Sequence, residues 1–412
     1  MRLAGQEIAV VGAGIGGLAA ATALALRHAR VRVYERASAL AEVGAGLQVA
    51  PNGVAVLEAL GLRDAAEACA SLPEAVELVG HRGRPVARVQ LGQAAVARYG
   101  RPYWHLHRAD LLDVLRAGAE EAGVVLHLGA AVEAVAPAGQ RVTLTLAGGG
   151  TAEAGLVIAA DGVRSPIRAA RFAAEPPRFT CHVAWRGTVP ADRLPAELRR
   201  PAARVTMGPG RHLVTYPLRG RSLVNFVAVE ERDAWTAEGW SHGDDPDSLR
   251  RAFAGWGGAA GALLAAVETC FLWGLFDHAP LPRWVDGRIA LLGDACHPML
   301  PFLAQGATMA LEDAWVLADC LDLADDPRAG LAAYEDARTG RATRVQRAAA
   351  RSGRLYHLGP GAGAAAHAVL RGVSAVAPGL LAARFDWLFG RGVTTMSHAV
   401  ARVRRRSSHW ED

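Results

Sequence analysis

The chain lacks lysine altogether. All 45 basic residues among its 412 are arginines. This absence excludes enzymes that need a lysine as imine former or phosphate contact, among them pyridoxal-phosphate enzymes, Walker-A NTPases and protein kinases. We interpret the absence itself as a coding bias that also enriches alanine, glycine and arginine.

Cysteine is scarce as well. The five cysteines lie far apart and form no CxxC pair, which argues against a disulfide framework and against a zinc site. His105 and His107 would share a strand face but have no carboxylate nearby, and the adjacent Cys296 and His297 are expected to point apart. We therefore expect no bound metal. The cysteine usage fits a reducing cytoplasm.

A concentrated positive charge is also missing. The formal net charge is +5, and the arginines are spread among 40 acidic residues, so we expect no nucleic-acid partner. Residues 8–26 form an uncharged run of transmembrane length. Four glycines stand at the centre of this run, which is therefore better interpreted as a buried strand, a glycine turn and a buried helix. We expect no membrane span.

The pattern of apolar residues predicts an α/β fold. Strand and helix patterns alternate over the first sixty residues, which is typical of a parallel sheet buried on both faces. Alternating stretches near 73–99 and 179–229 predict a second, antiparallel sheet inserted into the first domain. We place the first domain at 1–75, 100–178 and 278–335, the inserted domain at 76–99 and 179–277, and a helical C-terminal region at 336–412.

A glycine-rich turn opens the chain. Gly12, Gly14 and Gly17 form G-x-G-x-x-G between a predicted strand and a predicted helix, and Glu35 ends the next strand. Such glycines allow close approach of a pyrophosphate, the helix N-terminus attracts its charge, and the glutamate accepts a ribose hydroxyl. The pattern predicts an adenine dinucleotide without deciding between FAD and NAD. The alternative is a tight packing turn.

Two later segments decide between the cofactors. GLVIAADGVRSPIR ends a strand at Asp161, and GRIALLGDACHPMLPFLAQGATMALEDA ends another at Gly293 and Asp294. With the first motif, GAGLQVAPNG, HRADLLDVL and VAWRG, they make residues 8–340 resemble the class A, single-component flavoprotein aromatic hydroxylases. That family includes salicylate, 3-hydroxybenzoate and 6-hydroxynicotinate hydroxylases. The resemblance implies a Rossmann-like FAD-binding domain of the GR2 type, an inserted antiparallel-sheet substrate domain and a helical C-terminal segment.

The resemblance also implies a set of FAD contacts. Glu35 would bind the adenosine ribose and Asp294 the ribityl hydroxyls. Arg108 would contact the flavin end, and Asp161 would serve both FAD and NAD(P)H binding. Pro298 and Pro301 would line the flavin ring, and the backbone at 305–307 would face its pyrimidine edge. The implied cofactor residues are Gly12, Gly14, Gly17, Glu35, Arg36, Arg108, Asp161, Gly293, Asp294, Pro301, Gly306 and Ala307.

The helix that follows Gly306 supports this placement on physical grounds, because its free N–H groups would stabilise the anion of reduced flavin. No second G-x-G-x-x-G follows a strand, so NADH or NADPH is expected to dock transiently. The implied reaction uses NAD(P)H and O₂ to hydroxylate a small phenolic or heteroaromatic compound, with or without a carboxylate, through a flavin C4a-hydroperoxide. The enzyme would be a monomer or a homodimer.

Candidate substrate contacts come from the segment RHLVTYPL. His212 and Tyr216 are four residues apart and therefore share one face of a strand. In the 6-hydroxynicotinate branch a similarly placed His and Tyr serve the substrate, which makes these two the candidate catalytic residues. A structural role is the alternative. Gln48 and Pro298 complete the candidate substrate contacts, and Gln48 stands where that branch carries a His, a departure that weighs against the same substrate.

Four alternatives stand beside an aromatic hydroxylase. A flavin-dependent halogenase shares the first glycine motif, but the essential lysine and the W-x-W-x-I-P motif of those enzymes are absent. An oxygenase of the same superfamily with another reaction, such as epoxidation, stays open. A nonenzymatic flavin- or dinucleotide-binding protein also stays open, whereas the second Gly-Asp motif disfavours an NAD dehydrogenase.

Overall fold

The structure is a computed structural model and describes residues 3–40, 46–172, 175–235 and 242–395. Within these ranges the chain forms 19 strands and 13 α-helices. The strands are β1 (Glu7–Val11), β2 (Arg30–Glu35), β3 (Gly46–Val49), β4 (Ala75–Gly80), β5 (Pro85–Gln90), β6 (Trp104–His107), β7 (Val125–Leu128), β8 (Val132–Ala138), β9 (Arg141–Leu146), β10 (Thr151–Ala154), β11 (Leu156–Ala159), β12 (Arg178–Pro190), β13 (Ala202–Gly208), β14 (Arg211–Leu218), β15 (Leu223–Glu231), β16 (His242–Asp244), β17 (Cys270–Asp277), β18 (Val285–Asp286) and β19 (Ile289–Leu291). The helices are α1 (Ile15–Ala25), α2 (Pro51–Ala59), α3 (Arg63–Cys69), α4 (Gly92–Tyr99), α5 (Arg108–Glu121), α6 (Pro166–Arg171), α7 (Pro246–Ala252), α8 (Gly258–Ala266), α9 (Gly306–Leu323), α10 (Pro327–Tyr356), α11 (Pro360–Val376), α12 (Pro378–Ala383) and α13 (Asp386–Phe389).

Six strands form a largely parallel sheet in the order β18-β19-β11-β1-β2-β7. Four of the five residues of β1 are buried, and so is every residue of β11. Continuous apolar strands of this kind are typical of a parallel sheet that is covered on both faces. The uncharged run at 8–26 is therefore β1, the glycine turn and α1.

A second sheet contains eight strands in the order β16-β17-β12-β15-β14-β13-β4-β5. All neighbouring strands are antiparallel except β4 and β13, which run parallel with Ala75 opposite Ala202. The sequence predicts a purely antiparallel sheet, and this one parallel pair is a difference. It arises because the hairpin of β4 and β5 leaves the first domain earlier in the chain and joins the edge of the later strands.

The two faces of the eight-stranded sheet have different neighbours. On one face Val183 and Phe226 pack with the helices α7 and α8. On the other face Val229 and Trp273 pack with Phe302, which lies in the connection between β19 and α9. We call this second side the inner face. Because His212 pairs with Val229, it lies on the inner face too.

The C-terminal helices cover part of the inner face. Leu370 of α11 packs with Val205 and Met207 of β13. The hydroxyl of Tyr99 donates a hydrogen bond to the carbonyl of Ala382 in α12, at 3.3 Å. Helices α11 and α12 therefore form a wall over the β13, β4 and β5 side of the sheet.

The proposed domain boundaries stay a prediction, and residues 396–412 of the C-terminal region lie outside the described residues. None of the helices in the described ranges combines the length and the apolar composition that a bilayer crossing requires. The cytoplasmic location stays a prediction as well.

Candidate active site

The three glycines of the first turn differ in what surrounds them. Gly12 has a φ of +101°, and a Cβ there would lie 2.5 Å from the carbonyl oxygen of Ala160. A Cβ on Gly17 would overlap the carbonyl oxygen of Gly12, whereas one on Gly14 would have no atom within 4 Å. Packing therefore requires glycine at positions 12 and 17. Gly14 instead leaves open space at the start of α1, where phosphate oxygens fit.

Glu35 lies beside this turn at the end of β2. Its carboxylate accepts hydrogen bonds from the backbone N–H groups of Ala13, at 2.8 Å, and Ala37, at 2.9 Å. Each oxygen keeps a lone pair that a ribose hydroxyl can use. Arg36, the next residue, is exposed.

Asp161 follows β11, the strand that pairs with β1. Burial raises the pKa of Asp161 to about 6, while Ser165, backbone N–H groups and the charge of Arg36 act in the opposite direction. Neither carboxylate oxygen makes a hydrogen bond of normal geometry with the described residues. Because a buried carboxyl without a partner is costly, this position suits a polar group of a ligand.

Helix α9, which packs against α1, provides a second N-terminus whose surroundings are open. Gln305 precedes the helix without capping it through its side chain, and the buried Oε1 of Gln305 has no partner among the described residues. A Cβ on Gly306 would have no atom within 4 Å. The N–H groups of the first turn, which includes Ala307, lack intrahelical partners and can bind an anionic edge of a ligand.

Asp294 lies in the short turn after β19, and its side chain is exposed. The surrounding protein raises the pKa of Asp294, while the charges of His297 and Arg108 lower it. Arg108 begins α5 and is half-buried, and Gly293 precedes Asp294 with a φ of +63°.

The connection from this turn to α9 contains the two prolines. Pro298 is buried, and its carbonyl accepts a hydrogen bond from the side-chain amide of Gln346 at 2.9 Å. Pro301 is exposed. Ala304 adopts a left-handed conformation with a φ of +50°, which turns the chain into α9. The rigid prolines and the open helix start thus belong to one short segment.

A buried charge network lies under this segment, and the sequence gives little sign of it. Asp313 of α9 pairs with His297, and it accepts a hydrogen bond from Nε of Arg338 of α10 at 2.7 Å. Glu312 is 2.7 Å from Arg338 and 2.7 Å from Arg341. All five side chains are buried. Although burial raises it, the charges of His297 and Arg338 bring the pKa of Asp313 below its ordinary value.

The expectation that Cys296 and His297 point apart is wrong. Their ligand atoms lie within 4.8 Å of one another and of Asp313. The chain turns tightly here, since the N–H groups of both residues donate to the carbonyl of Gly293 at 2.9 Å. Asp313 of this cluster already pairs with Arg338 inside the protein.

His212 lies on β14 and is 1% exposed. Its Nδ1 is 2.6 Å from Nε2 of His357, the residue that follows α10. Its ring centroid is 5.1 Å from that of Phe302 and 5.2 Å from that of Tyr356. His212 therefore sits between the eight-stranded sheet and the segment that leads into α9.

Tyr216 lies on the same strand, two residues beyond the half-buried Val214, and occupies a different cluster. Its ring centroid is 4.7 Å from that of His105, and burial raises the pKa of Tyr216 well above its usual range. The hydroxyl of Tyr103 donates to Oε1 of Gln48 at 2.7 Å, and Gln48 pairs with His105 across β3 and β6. Tyr216 and Gln48 thus meet around His105, while His212 lies apart from both.

His105 and His107 need a correction of their own. His107 has a carboxylate nearby, since its Nδ1 is 3.9 Å from Oδ1 of Asp110. His105 is fully buried, and burial lowers the pKa of its imidazole to about 3. The alternation in YWHLH indicates a shared strand face, but it does not indicate that His105 contacts Tyr216.

The residues fit FAD. The open N-termini of α1 and α9 offer free N–H groups to the pyrophosphate and to the pyrimidine edge of a flavin. The carboxylates of Asp161 and Asp294 can accept hydrogen bonds from its hydroxyls. The inner face of the eight-stranded sheet lies opposite the segment from Pro298 to Gly306, and Phe302 of that segment packs on it.

Comparison with known proteins gives the same result. A family profile described as "FAD binding domain" matches residues 6–349. A 3-amino-4-hydroxybenzoate 2-monooxygenase from Streptomyces platensis is 42% identical over 86% of this chain and 89% of its own length. A 3-hydroxybenzoate 6-hydroxylase from Aquipseudomonas alcaligenes is 34% identical over 94% of this chain and 98% of its own.

A solved structure of a salicylate hydroxylase substrate complex has a TM-score of 0.79 at 28% identity, and the match covers 97% of this chain and 98% of the other. These relatives confirm the predicted flavin-dependent monooxygenase with FAD as its cofactor. The chain therefore belongs to the FAD-binding-domain family, as an FAD-dependent aromatic hydroxylase.

Proposed function

We propose that this enzyme hydroxylates a small phenolic acid of the aminohydroxybenzoate or hydroxybenzoate type. The observation that carries this proposal is the 42% identity, over 86% of the chain, to a 3-amino-4-hydroxybenzoate 2-monooxygenase. His212 and Tyr216 are about 13 Å apart along the inner-face strand β14. A ring bound between them would lie over the half-buried Val214.

The FAD would be bound by the residues that the sequence predicts. Gly14 and the start of α1 would face the pyrophosphate, Glu35 the ribose, and Asp294 the ribityl chain. The N–H groups at Gly306 and Ala307 would bind the pyrimidine edge. When bound, FAD supplies hydride acceptance from NAD(P)H and activation of O₂.

The remaining proposed cofactor contacts border this set. Arg108 would reach the flavin end, and Gly293 would shape the turn before the ribityl contact. Asp161 and Arg36 lie near the glycine turn, where a nicotinamide cofactor would dock only to deliver hydride. Pro301, on the exposed side of the same segment, would line the ring.

The chain's own residues would prepare the substrate. His212 is positioned to accept the phenolic proton, because its Nδ1 is hydrogen-bonded to His357 and its Nε2 is left as the base. Tyr216 stays protonated when buried and would donate a hydrogen bond to a substrate oxygen. Pro298 and Gln48 would border the ring, and Phe302 would keep water from the reacting carbon.

The experiment is a substrate panel. Purified enzyme should be yellow with bound FAD, and 3-amino-4-hydroxybenzoate and other hydroxybenzoates should accelerate NADH or NADPH oxidation with formation of a hydroxylated product. A yellow protein that no phenolic acid stimulates would overturn the substrate class and favour another oxygenation, such as epoxidation.

The two candidate catalytic residues are tested separately. His212→Ala should lower coupled hydroxylation more than it lowers substrate affinity, because it removes the base. Tyr216→Phe should mainly raise KM, because it removes one hydrogen bond. If coupled hydroxylation and substrate-stimulated NADH oxidation were unchanged in both variants, the two side chains would be structural.

A further inference from the structure

A chain of hydrogen bonds leads from the inner face to the protein surface. Nδ1 of the buried His212 is 2.6 Å from Nε2 of His357. Nδ1 of His357 is 2.8 Å from Oε1 of Glu231. The side chain of Glu231 is 53% exposed. Three side chains from β14, from the residue after α10 and from the end of β15 thus connect a buried imidazole with solvent.

The chemistry of these groups fixes the direction of each hydrogen bond. A carboxylate only accepts, so His357 donates its Nδ1–H to Glu231. The Nε2 of His357 then carries a lone pair and accepts the Nδ1–H of His212. With its Nδ1 proton donated to His357, His212 keeps a lone pair on Nε2. The outer carboxylate therefore sets the inner imidazole as a proton acceptor.

We propose that His212, His357 and Glu231 form a proton path through which the phenolic hydrogen of the substrate leaves the buried site. The proposal rests on the proposed function, because it takes a phenolic substrate at His212. His357 and Glu231 do not touch the substrate, so they act as positioning and relay residues.

The transfer balances at each step. The phenol O–H bond breaks as Nε2 of His212 gains the proton, and Nδ1 of His212 passes its own proton to Nε2 of His357. Nδ1 of His357 then gives its proton to Glu231, and the carboxyl releases it to water. The net change is one phenol converted to phenolate and one proton in solvent. Reprotonation of the product through the same path restores both imidazole tautomers.

The surroundings of His212 disfavour a protonated imidazole, so the proton should be passed on rather than held there. Burial lowers the pKa of His212 well below its usual range, and His357 and His182 lower it further. A proton that arrives at His212 is therefore passed on. The pKa of His357 is also lowered by burial, while Glu231 raises it and His182 and Arg211 lower it.

The outer end opens on water. A surface cavity of about 580 Å³ is lined by both Glu231 and His182. The neighbouring Glu230 lines the same cavity but pairs with Arg211 at 3.4 Å and with Arg232 at 3.1 Å. Glu230 therefore provides a control, with the same charge at the adjacent position but outside the path. Tyr356 packs on His212 from α10, and Cys181, Arg232 and Asp233 line the cavity at the outer end of the path.

A purely structural role is the competing explanation. His357 also joins α10 to the sheet, since its carbonyl accepts the N–H of Gly210 at 3.2 Å. A clamp of this kind would affect folding but would leave proton transfer unchanged.

The test measures proton release from the FAD-loaded enzyme on mixing with 3-amino-4-hydroxybenzoate, with phenol red in weakly buffered solution. The variants are Glu231→Gln, His357→Gln and the control Glu230→Gln. Glu231→Gln should slow proton release on the order of tenfold or more, and added imidazole buffer should restore the rate. The pH profile of kcat should move to higher pH, while Glu230→Gln should behave as wild type.

Unchanged proton release and an unchanged pH profile in Glu231→Gln would overturn the path. Should His357→Gln fail to fold, Glu231→Gln decides alone, since its side chain is mostly in solvent. Failure of the proposed function would give a different result, because the wild type would then neither bind nor ionise a phenolic acid. The proposed path would be wrong in that case as well. If His212→Ala abolishes ionisation and Glu231→Gln does not slow it, only the path is wrong.

Discussion

The glycines of the first turn differ in whether packing requires the absence of a side chain. A side chain on Gly17 would overlap the backbone of Gly12, whereas a Cβ on Gly14 would have no atom within 4 Å. The G-x-G-x-x-G pattern therefore contains two glycines that packing requires and one that packing does not require, for which we propose the binding role. Substitution can separate them.

Gly17→Ala should destabilise the apoprotein by about 1–3 kcal/mol, the usual cost of overpacking. Gly14→Ala should change its stability by less than about 0.5 kcal/mol and weaken FAD binding by about tenfold or more, or about 1.4 kcal/mol. Thermal melting of the apoprotein and titration with FAD measure the two effects. Tight FAD binding by Gly14→Ala would place the pyrophosphate elsewhere.

The features that the sequence predicts most readily are those that are local in the chain. The glycine turn, Glu35 and Asp294 stand in contiguous motifs, so their types and positions could be predicted together. His357 and Glu231 could not, because they contact their partners across 145 and 126 residues of sequence. No periodicity encodes such a contact, which exists only after α10 has packed on the sheet.

At the scale of elements, helices α9 and α10 are joined by buried ions. Glu312 and Asp313 of α9 face Arg338 and Arg341 of α10, and Asn52 of α2 donates to Glu312 at 2.7 Å. The helix that would bind the flavin edge is thus fixed from behind by charge. Removing one partner leaves the others buried and uncompensated.

Asp313→Asn should therefore lower the free energy of unfolding by about 3–5 kcal/mol, because His297 and Arg338 lose their common anion. The control is Glu120→Gln, which removes one partner of an exposed ion pair with Arg116. It should lower the free energy of unfolding by only about 0–1 kcal/mol. Urea denaturation of both apoproteins gives the comparison. Equal, small losses would show that α9 does not depend on this network.

Helix α11 offers a second test at this scale. Leu370 packs against Val205 and Met207 on the inner face, and Val369 beside it is 66% exposed. Leu370→Asp should loosen this wall and admit water, so a larger fraction of NAD(P)H should be oxidised without hydroxylated product. Val369→Asp should leave the coupling ratio unchanged. The ratio of product formed to NAD(P)H consumed measures both, and identical ratios in the two variants would remove α11 from the site wall.

At the scale of the whole molecule, buried neutral histidines make stability depend on pH. His105 has a folded pKa of about 3 against an ordinary value of 6.5, so the unfolded chain binds the extra proton between these values. Stability from this group is present above pH 6.5 and falls as the pH decreases. His297 acts in the opposite sense, because its folded pKa is raised by Asp313 and Cys296 despite burial.

His105→Phe should flatten this dependence. Because His105 stays neutral in the folded state, the free energy of unfolding of the wild type should be about 2 kcal/mol lower at pH 5 than at pH 7. Each pKa unit corresponds to about 1.36 kcal/mol. Unfolding free energies of the two apoproteins at pH 7 and pH 5 give the difference directly. If both lose the same amount, His105 is protonated in the folded state.

The pairing of β11 with β19 has a consequence for synthesis. Val157 lies opposite Ile289, so more than a hundred residues must leave the ribosome before β19 can pair with β11. Until then β11 presents an open apolar edge, a recognised risk for aggregation. Because α9 follows β19, the nascent chain also lacks the helix N-terminus that we propose for the flavin edge. Cofactor capture therefore belongs to the last stage of folding, after the eight-stranded sheet has already emerged.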